Sequence, residues 1–142
     1  MTTPTDQQIA ALSAALDTFA RRFKLADTGL EKPLTELDKQ VLFYVKKHPS
    51  CGPSDVARFL GVAMTTISSA TDRLAKRGLL ERHRPEDNRR AVALRLSTSG
   101  EDYVALQERM YNDMFRMMLE RLSPSERESF IAMMSNIAKS DY

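Results

Sequence analysis

The chain has 142 residues, 42% hydrophobic and 28% charged, which suits one compact domain or two small coupled ones and excludes a disordered chain. Its net charge of +2 says little, but residues 34–97 hold twelve Lys/Arg against seven Asp/Glu while the flanks hold nine against twelve, a basic middle that fits a solvated face and, with further signals, a polyanion partner. No run of about 18 apolar residues exists for a membrane span, and the start MTTPTDQQIA lacks the basic-then-apolar pattern of a secretory signal. A single cysteine, Cys51, and two histidines allow neither an internal disulfide nor a closed soft-ligand zinc site. A cytoplasmic protein without metal or cofactor is expected.

Ile9, Leu12, Leu16, Phe19 and Phe23 recur at spacings of three and four, which predicts a helix over 7–25, broken by Gly29 and Pro33. Thr35, with Asp38 three positions on, reads as a capping box for a second helix whose apolar face is Leu37, Val41, Leu42 and Val45, ended by His48-Pro49. Gly52-Pro53 opens a short third helix that buries Val56, Ala57 and Leu60 and stops at Gly61. A fourth helix runs to about Arg77, closed by Gly78, and two short helices around a glycine turn are the pattern of a helix-turn-helix. The period then changes. Leu79–Arg82 reads as a strand, and Val92, Leu94 and Leu96 alternate with Ala91, Ala93 and Arg95. The polar stretch 83–89 between them makes a β-hairpin with a basic tip. Thr98 with Glu101 reads as the cap of a fifth helix carrying Tyr103, Leu106, Met110, Met114, Met117 and Met118. Ser123-Pro124-Ser125-Glu126 starts a last helix bearing Phe130, Ile131, Met134 and Ile137.

On a wheel of 100° per residue, Ile67, Ala70, Thr71 and Leu74 of the fourth helix share one side. Thr65, Ser69, Asp72 and Lys76 share the other, flanked by Ser68 and Arg73. A helix entering a major groove presents its first turns to base edges, and Ser and Thr hydroxyls donate to or accept from several bases. A surface helix that is merely Ser/Thr-rich would look the same locally, but these are indifferent helix formers and local stability does not ask for them there. In the hairpin, Arg84, Arg89 and Arg90 crowd one loop beside Glu86 and Asp87. Arginine gains from the enhanced negative potential of a narrow minor groove, and an aspartate can fix its guanidinium by bidentate pairing; the alternative is a solvated turn. Helix and hairpin together make a winged helix-turn-helix, with double-stranded DNA as partner. The expected site is Thr65, Thr66, Ser68, Ser69, Arg73, Lys76, Arg84, Asp87, Arg89 and Arg90.

The stretch from Leu34 to Gly100 resembles the centre of the MarR family of bacterial transcriptional regulators, most tellingly in VARFLGV, DRLAKRGLLER and RLSTSG. The resemblance implies a mainly α fold with a small β-hairpin wing. It implies a homodimer of triangular outline, with residues 1–33 and 98–142 supplying the dimerisation helices and 34–97 the DNA-binding domain. It further implies repression from pseudo-palindromic operators, released by a small phenolic or other aromatic effector. Three positions depart from the family pattern: Ser69 stands where many relatives carry arginine, Ala63 where a capping Ser or Asp is usual, and the Asp-x-Arg wing motif reads either as Asp87/Arg89 or as Asn88/Arg90.

Two other readings stay open. A winged-helix protein-interaction module would keep the fold without reading DNA. Cys51, close to Lys46, Lys47 and His48 and just ahead of a helix, has surroundings that can lower a thiol pKa, which would make a redox-responsive regulator; oxidation-sensing relatives carry their cysteine in the first helix, so a structural cysteine is the preferred reading. The methionines of the fifth helix read as core or dimer packing, and His48 and His83 as solvated. No nucleophile–base–orienter set, phosphate loop or carboxylate pair stands out, so no catalysis is expected.

Overall fold

In the computed structural model, which describes residues 2–23, 32–87 and 91–139, the elements follow the predicted order. They are α1 (Asp6–Arg22), α2 (Glu36–Lys47), α3 (Pro53–Leu60), α4 (Met64–Lys76), β1 (Leu80–His83), β2 (Ala93–Leu96), α5 (Thr98–Glu120) and α6 (Pro124–Ala138). The chain divides into two compact units: Asp27–Arg109, and Met1–Ala26 with Met110–Tyr142. The fold class is that expected, a helical protein with a two-stranded antiparallel wing.

The unit Asp27–Arg109 owns the core. Val41, Leu42 and Val45 of α2, Val56 and Ala57 of α3, Ile67, Ala70 and Leu74 of α4, Leu80, Leu94 and Leu96 of the hairpin, and Tyr103 and Val104 of α5 are all buried in one cluster. Helices α2 and α3 start and α3 stops at the residues their sequences mark. Thr35 accepts a hydrogen bond from the Asp38 N–H (3.1 Å). Asp55 accepts from the Gly52 N–H (2.9 Å) ahead of Pro53. Gly61 takes a left-handed φ of 68° that closes α3 and turns the chain into α4. The reciprocal half of the expected capping box on α2 is absent because the Asp38 carboxylate turns instead to Arg73.

The hairpin pairs Leu80 with Leu96, Glu81 with Arg95, Arg82 with Leu94 and His83 with Ala93. Its other edge is joined by Ser50–Cys51: the Ser50 N–H donates to the Leu94 carbonyl (2.9 Å) and the Leu94 N–H to that of Cys51 (2.8 Å). This third partner has no local sequence signature. Two expectations change here. Ala93, assigned by alternation to the outer face, is buried, on the strand whose other edge is flanked by Ser50–Cys51. His83, read as solvated, is half-buried with Nδ1 unpartnered.

The start of α5 is also set differently. Ser97, not Thr98, is the cap: its Oγ accepts from the Gly100 N–H (3.0 Å) and donates to the Gly78 carbonyl (2.6 Å). One side chain thus ties the turn after α4 to the helix that follows the wing.

The other unit is different in kind. In α1, Thr5 and Gln8 form a reciprocal capping box, and in α6 Ser123 and Glu126 do the same, the cap N–H of Ser123 holding the Glu126 carboxyl below its usual range. Yet none of its described residues is buried. Ile9, Leu12 and Leu16 of α1, Phe115 and Met117 of α5, and Ile131, Met134 and Ile137 of α6 are exposed, and Met110, Met114 and Met118 are half-buried.

Candidate nucleic-acid interface

Helix α4 is held by one side and open on the other. Ile67, Ala70, Thr71 and Leu74 are buried, the four residues the wheel placed inward. Thr71 satisfies its hydroxyl by donating to the Ser68 carbonyl (3.1 Å). Opposite them Thr65, Thr66, Ser68 and Ser69 are all exposed. Ala63 occupies the cap position and offers no side-chain hydrogen bond to the first turn; the Thr66 N–H donates to the Ala63 carbonyl (3.1 Å), and the amides ahead of it face solvent or a phosphate.

The cations of this surface are not bare. Arg73 Nη2 lies 3.0 Å from Asp38 Oδ1, a carboxylate whose side chain is only 6% exposed, while the arginine itself is 51% exposed. Lys76 Nζ lies 3.1 Å from Asp72 Oδ2, and Arg82 of β1 reaches the other oxygen of the same carboxylate at 3.4 Å. The hydrogen bond from Lys76 holds the Asp72 carboxyl below its ordinary range, and Arg82 adds to the effect. Further along the hairpin Arg95 pairs with Glu81 (2.8 Å).

The α4 members of the expected site thus share one helix, with Arg73 turned back to α2. Arg84 and Asp87 are exposed at the base of the wing tip. Arg89 and Arg90, and with them the choice between Asp87/Arg89 and Asn88/Arg90, lie outside the described residues. Sequence reasoning placed Asp72 on this surface without a role and missed Asp38 and Arg82 as parts of it. The Asp72–Lys76 pair was readable from its i, i+4 spacing; the partners of Arg73 and Arg82 come from other elements and left no local trace.

A shallow groove between α2 and α3 is walled by aromatic rings. Tyr44 lies 4.8 Å from Phe59 and 4.4 Å from His48, ring centre to ring centre, with Lys47 and Gln40 at the rim. Phe59 is 70% exposed. Among the described residues no group of three or more His, Cys, Asp or Glu is placed to hold a metal ion, and no helix is long and apolar enough to cross a membrane.

Cys51 is buried, its backbone bridged to Leu94 along the free edge of β2. Burial pushes its thiol above the ordinary value and Asp55 pushes in the same direction, against a smaller backbone hydrogen bond. Only the thiolate is a nucleophile, so this environment counts against oxidant sensing. Cys51 is expected to react with a thiol reagent at pH 7.5 at least about tenfold more slowly in the native chain than in urea. Rapid labelling of the native chain would bring the redox reading back.

A family model described as MarR family matches residues 34–92. The chain is similar to the uncharacterized HTH-type transcriptional regulator YwhA of Bacillus subtilis (strain 168), with 26% identity over 133 residues, covering 90% of this chain and 93% of that protein. Among solved structures it is similar to Streptococcus pneumoniae FabT in complex with DNA (TM-score 0.80, 23% identity, 94% of each chain). It is also similar to Bordetella bronchiseptica BpsR, in a structure concerned with regulation of its DNA binding by 6-hydroxynicotinic acid (TM-score 0.65, 20% identity, 99% of each chain). At these identities the structural likeness is one of fold, a winged helix-turn-helix. Residues 34–92 thus match the model of the MarR family, and the chain as a whole is similar in sequence to an HTH-type transcriptional regulator.

Proposed function

We propose that the chain is a cytoplasmic, sequence-specific DNA-binding repressor that acts as a homodimer on pseudo-palindromic operators and lets go when a small aromatic ligand binds. The observation that carries the reading is the two-sidedness of α4: a fully buried apolar side fixes the helix, while Thr65, Thr66, Ser68 and Ser69 stand free of the protein. Hydroxyls on the first turns of such a helix reach base edges in a major groove. Lys76, Arg73, Arg84, Arg89 and Arg90 supply phosphate and minor-groove contacts around them, with Asp87 fixing a wing guanidinium. Residues 34–97 are the DNA-binding part, and the helices in 1–33 and 98–142 join two copies. That second role is supported by the exposed apolar residues of α1, α5 and α6. Short helices need tertiary partners, and a closed two-fold dimer is the commonest way to supply them. The aromatic groove between α2 and α3 supports a planar ligand, with Lys47 for an acidic group. The resemblance to BpsR points the same way. No catalytic step is assigned.

Selection of bound sequences from random duplexes at fixed salt tests the reading. A two-fold-symmetric consensus with half-sites about one helical turn apart is expected. On that duplex Arg89→Ala should weaken binding and flatten the salt slope by about one. Planar aromatic acids should release the wild-type complex and release a Phe59→Ala variant less. A chain that enriches no sequence would leave the interaction-module reading in its place.

A further inference from the structure

We infer that Asp72 sets the specificity of DNA binding by withholding Lys76 and Arg82 from phosphate, so that the hydroxyl face of α4 rather than bulk charge decides which duplex is held. This rests on the DNA-binding reading above. Asp72 stands on the exposed side of α4, one turn after Ser69, with its side chain 46% exposed. A carboxylate on a surface that must approach a polyanion is repelled by it, and helix stability alone does not require one there. Its geometry shows what it does instead. One oxygen takes the ammonium of Lys76 from the next turn, the other the guanidinium of Arg82 from β1. An aspartate is ionised at neutral pH in any case, and these partners push its carboxyl lower still, so both cations face a full charge across the physiological range.

Sequence-independent affinity comes from cations that replace counterions on phosphates. Here Arg73 is committed to Asp38, and Lys76 and Arg82 share Asp72. A passing duplex must therefore draw Lys76 or Arg82 away from a carboxylate that itself opposes the approach. Cognate DNA offsets this through base-edge hydrogen bonds to Thr65 and Ser69; a random duplex has nothing to set against it. Asp72 so lowers all binding, but random binding most.

The test is fluorescence anisotropy of the full chain on a random-sequence duplex and on the selected duplex across a salt series. Asp72→Asn should raise affinity for the random duplex by about fivefold at 0.15 M salt for each cation released, and steepen its salt slope by about one to two. The selected duplex should gain less, so that the ratio of the two falls. Asp72→Glu, which keeps the charge, should keep the wild-type ratio. In a Lys76→Gln/Arg82→Gln background, Asp72→Asn should bring a clearly smaller gain, that of lost repulsion alone, and should not steepen the salt slope, because no cation remains to be released. Unchanged or weakened binding of the random duplex by Asp72→Asn overturns the inference and leaves Asp72 as a strap between α4 and β1. A gain as large without the two cations as with them also overturns it, by showing direct repulsion alone. A wild-type chain that prefers no duplex at all sinks the DNA-binding reading, and this inference with it.

Discussion

Replacing Gly100 by alanine is expected to destabilise the winged unit by about 3 kcal/mol, a fall in melting temperature of roughly 10 °C. The sign is the reverse of the general rule. Within a helix, alanine for glycine usually stabilises by about 0.5–1 kcal/mol, because it removes backbone freedom from the unfolded chain. Gly100 is buried in the first turn of α5, and a Cβ there would fall inside the van der Waals envelope of the Leu79 carbonyl oxygen, with the carbonyl carbon only 3.0 Å away. The obstacle is backbone, so no rotamer change relieves it. Leu79 cannot retreat either: its carbonyl accepts from the Ser97 N–H (3.2 Å), its own N–H is bonded to Leu74 (3.0 Å), and its side chain is in the core. To accept the methyl group, α5 must move away from the turn after α4, breaking the Ser97 bridge to Gly78. Gly52→Ala is the control, since its Cβ would meet Val92 and Asp55 only at ordinary contact distances of 3.5 and 3.6 Å; a change within about 1 kcal/mol is expected there. Thermal unfolding of the two variants checks the pair, and equal melting temperatures would refute the argument.

That close approach shows where sequence reading stops. RLSTSG is legible as the end of a wing and the start of a helix, and the local chemistry of capping correctly foresees a hydroxyl there. Whether Ser97 or Thr98 serves depends on the carbonyl of Gly78, brought alongside by the fold. The same limit governs the interface. The inward side of α4 was readable because periodicity alone decides it, and Thr71 goes in with the apolar residues by position, not by chemistry. The outward hydroxyls follow by exclusion. The state of the cations was not readable, since the partner of Arg73 lies 35 residues earlier and that of Arg82 on a different element. At the ends of the chain the apolar stripes announce helices, and α1 and α6 form with the caps their sequences carry. What covers those stripes is not written in periodicity: an apolar residue facing its own core and one facing a second molecule repeat at the same spacing.

Arg73→Ala should therefore act twice, on the fold and on DNA. The Asp38 carboxylate is buried on α2, and Arg73 of α4 is the cation that answers it. Removing one member of such a pair leaves a charge with neither water nor counterion, which costs about 3–5 kcal/mol when both partners are buried. The half-exposed guanidinium here lets some water replace it, and about 2 kcal/mol is expected. Asp38→Ala removes the buried charge instead and leaves Arg73 free in solvent. The double variant should thus be more stable than the sum of the single losses predicts, by about 1 kcal/mol. DNA binding separates the two roles. If Arg73 is only a strut, Arg73→Ala and the double variant bind like wild type once folded, with the same salt slope. If it also touches phosphate, both lose affinity and about one unit of slope, whereas Asp38→Ala, with the arginine released, binds at least as tightly as wild type. The second pattern is the one expected, because the guanidinium keeps half its surface in water on the flank of the hydroxyl face. Stability loss without any change of slope would confine Arg73 to the fold and leave phosphate contact to Lys76 and the wing.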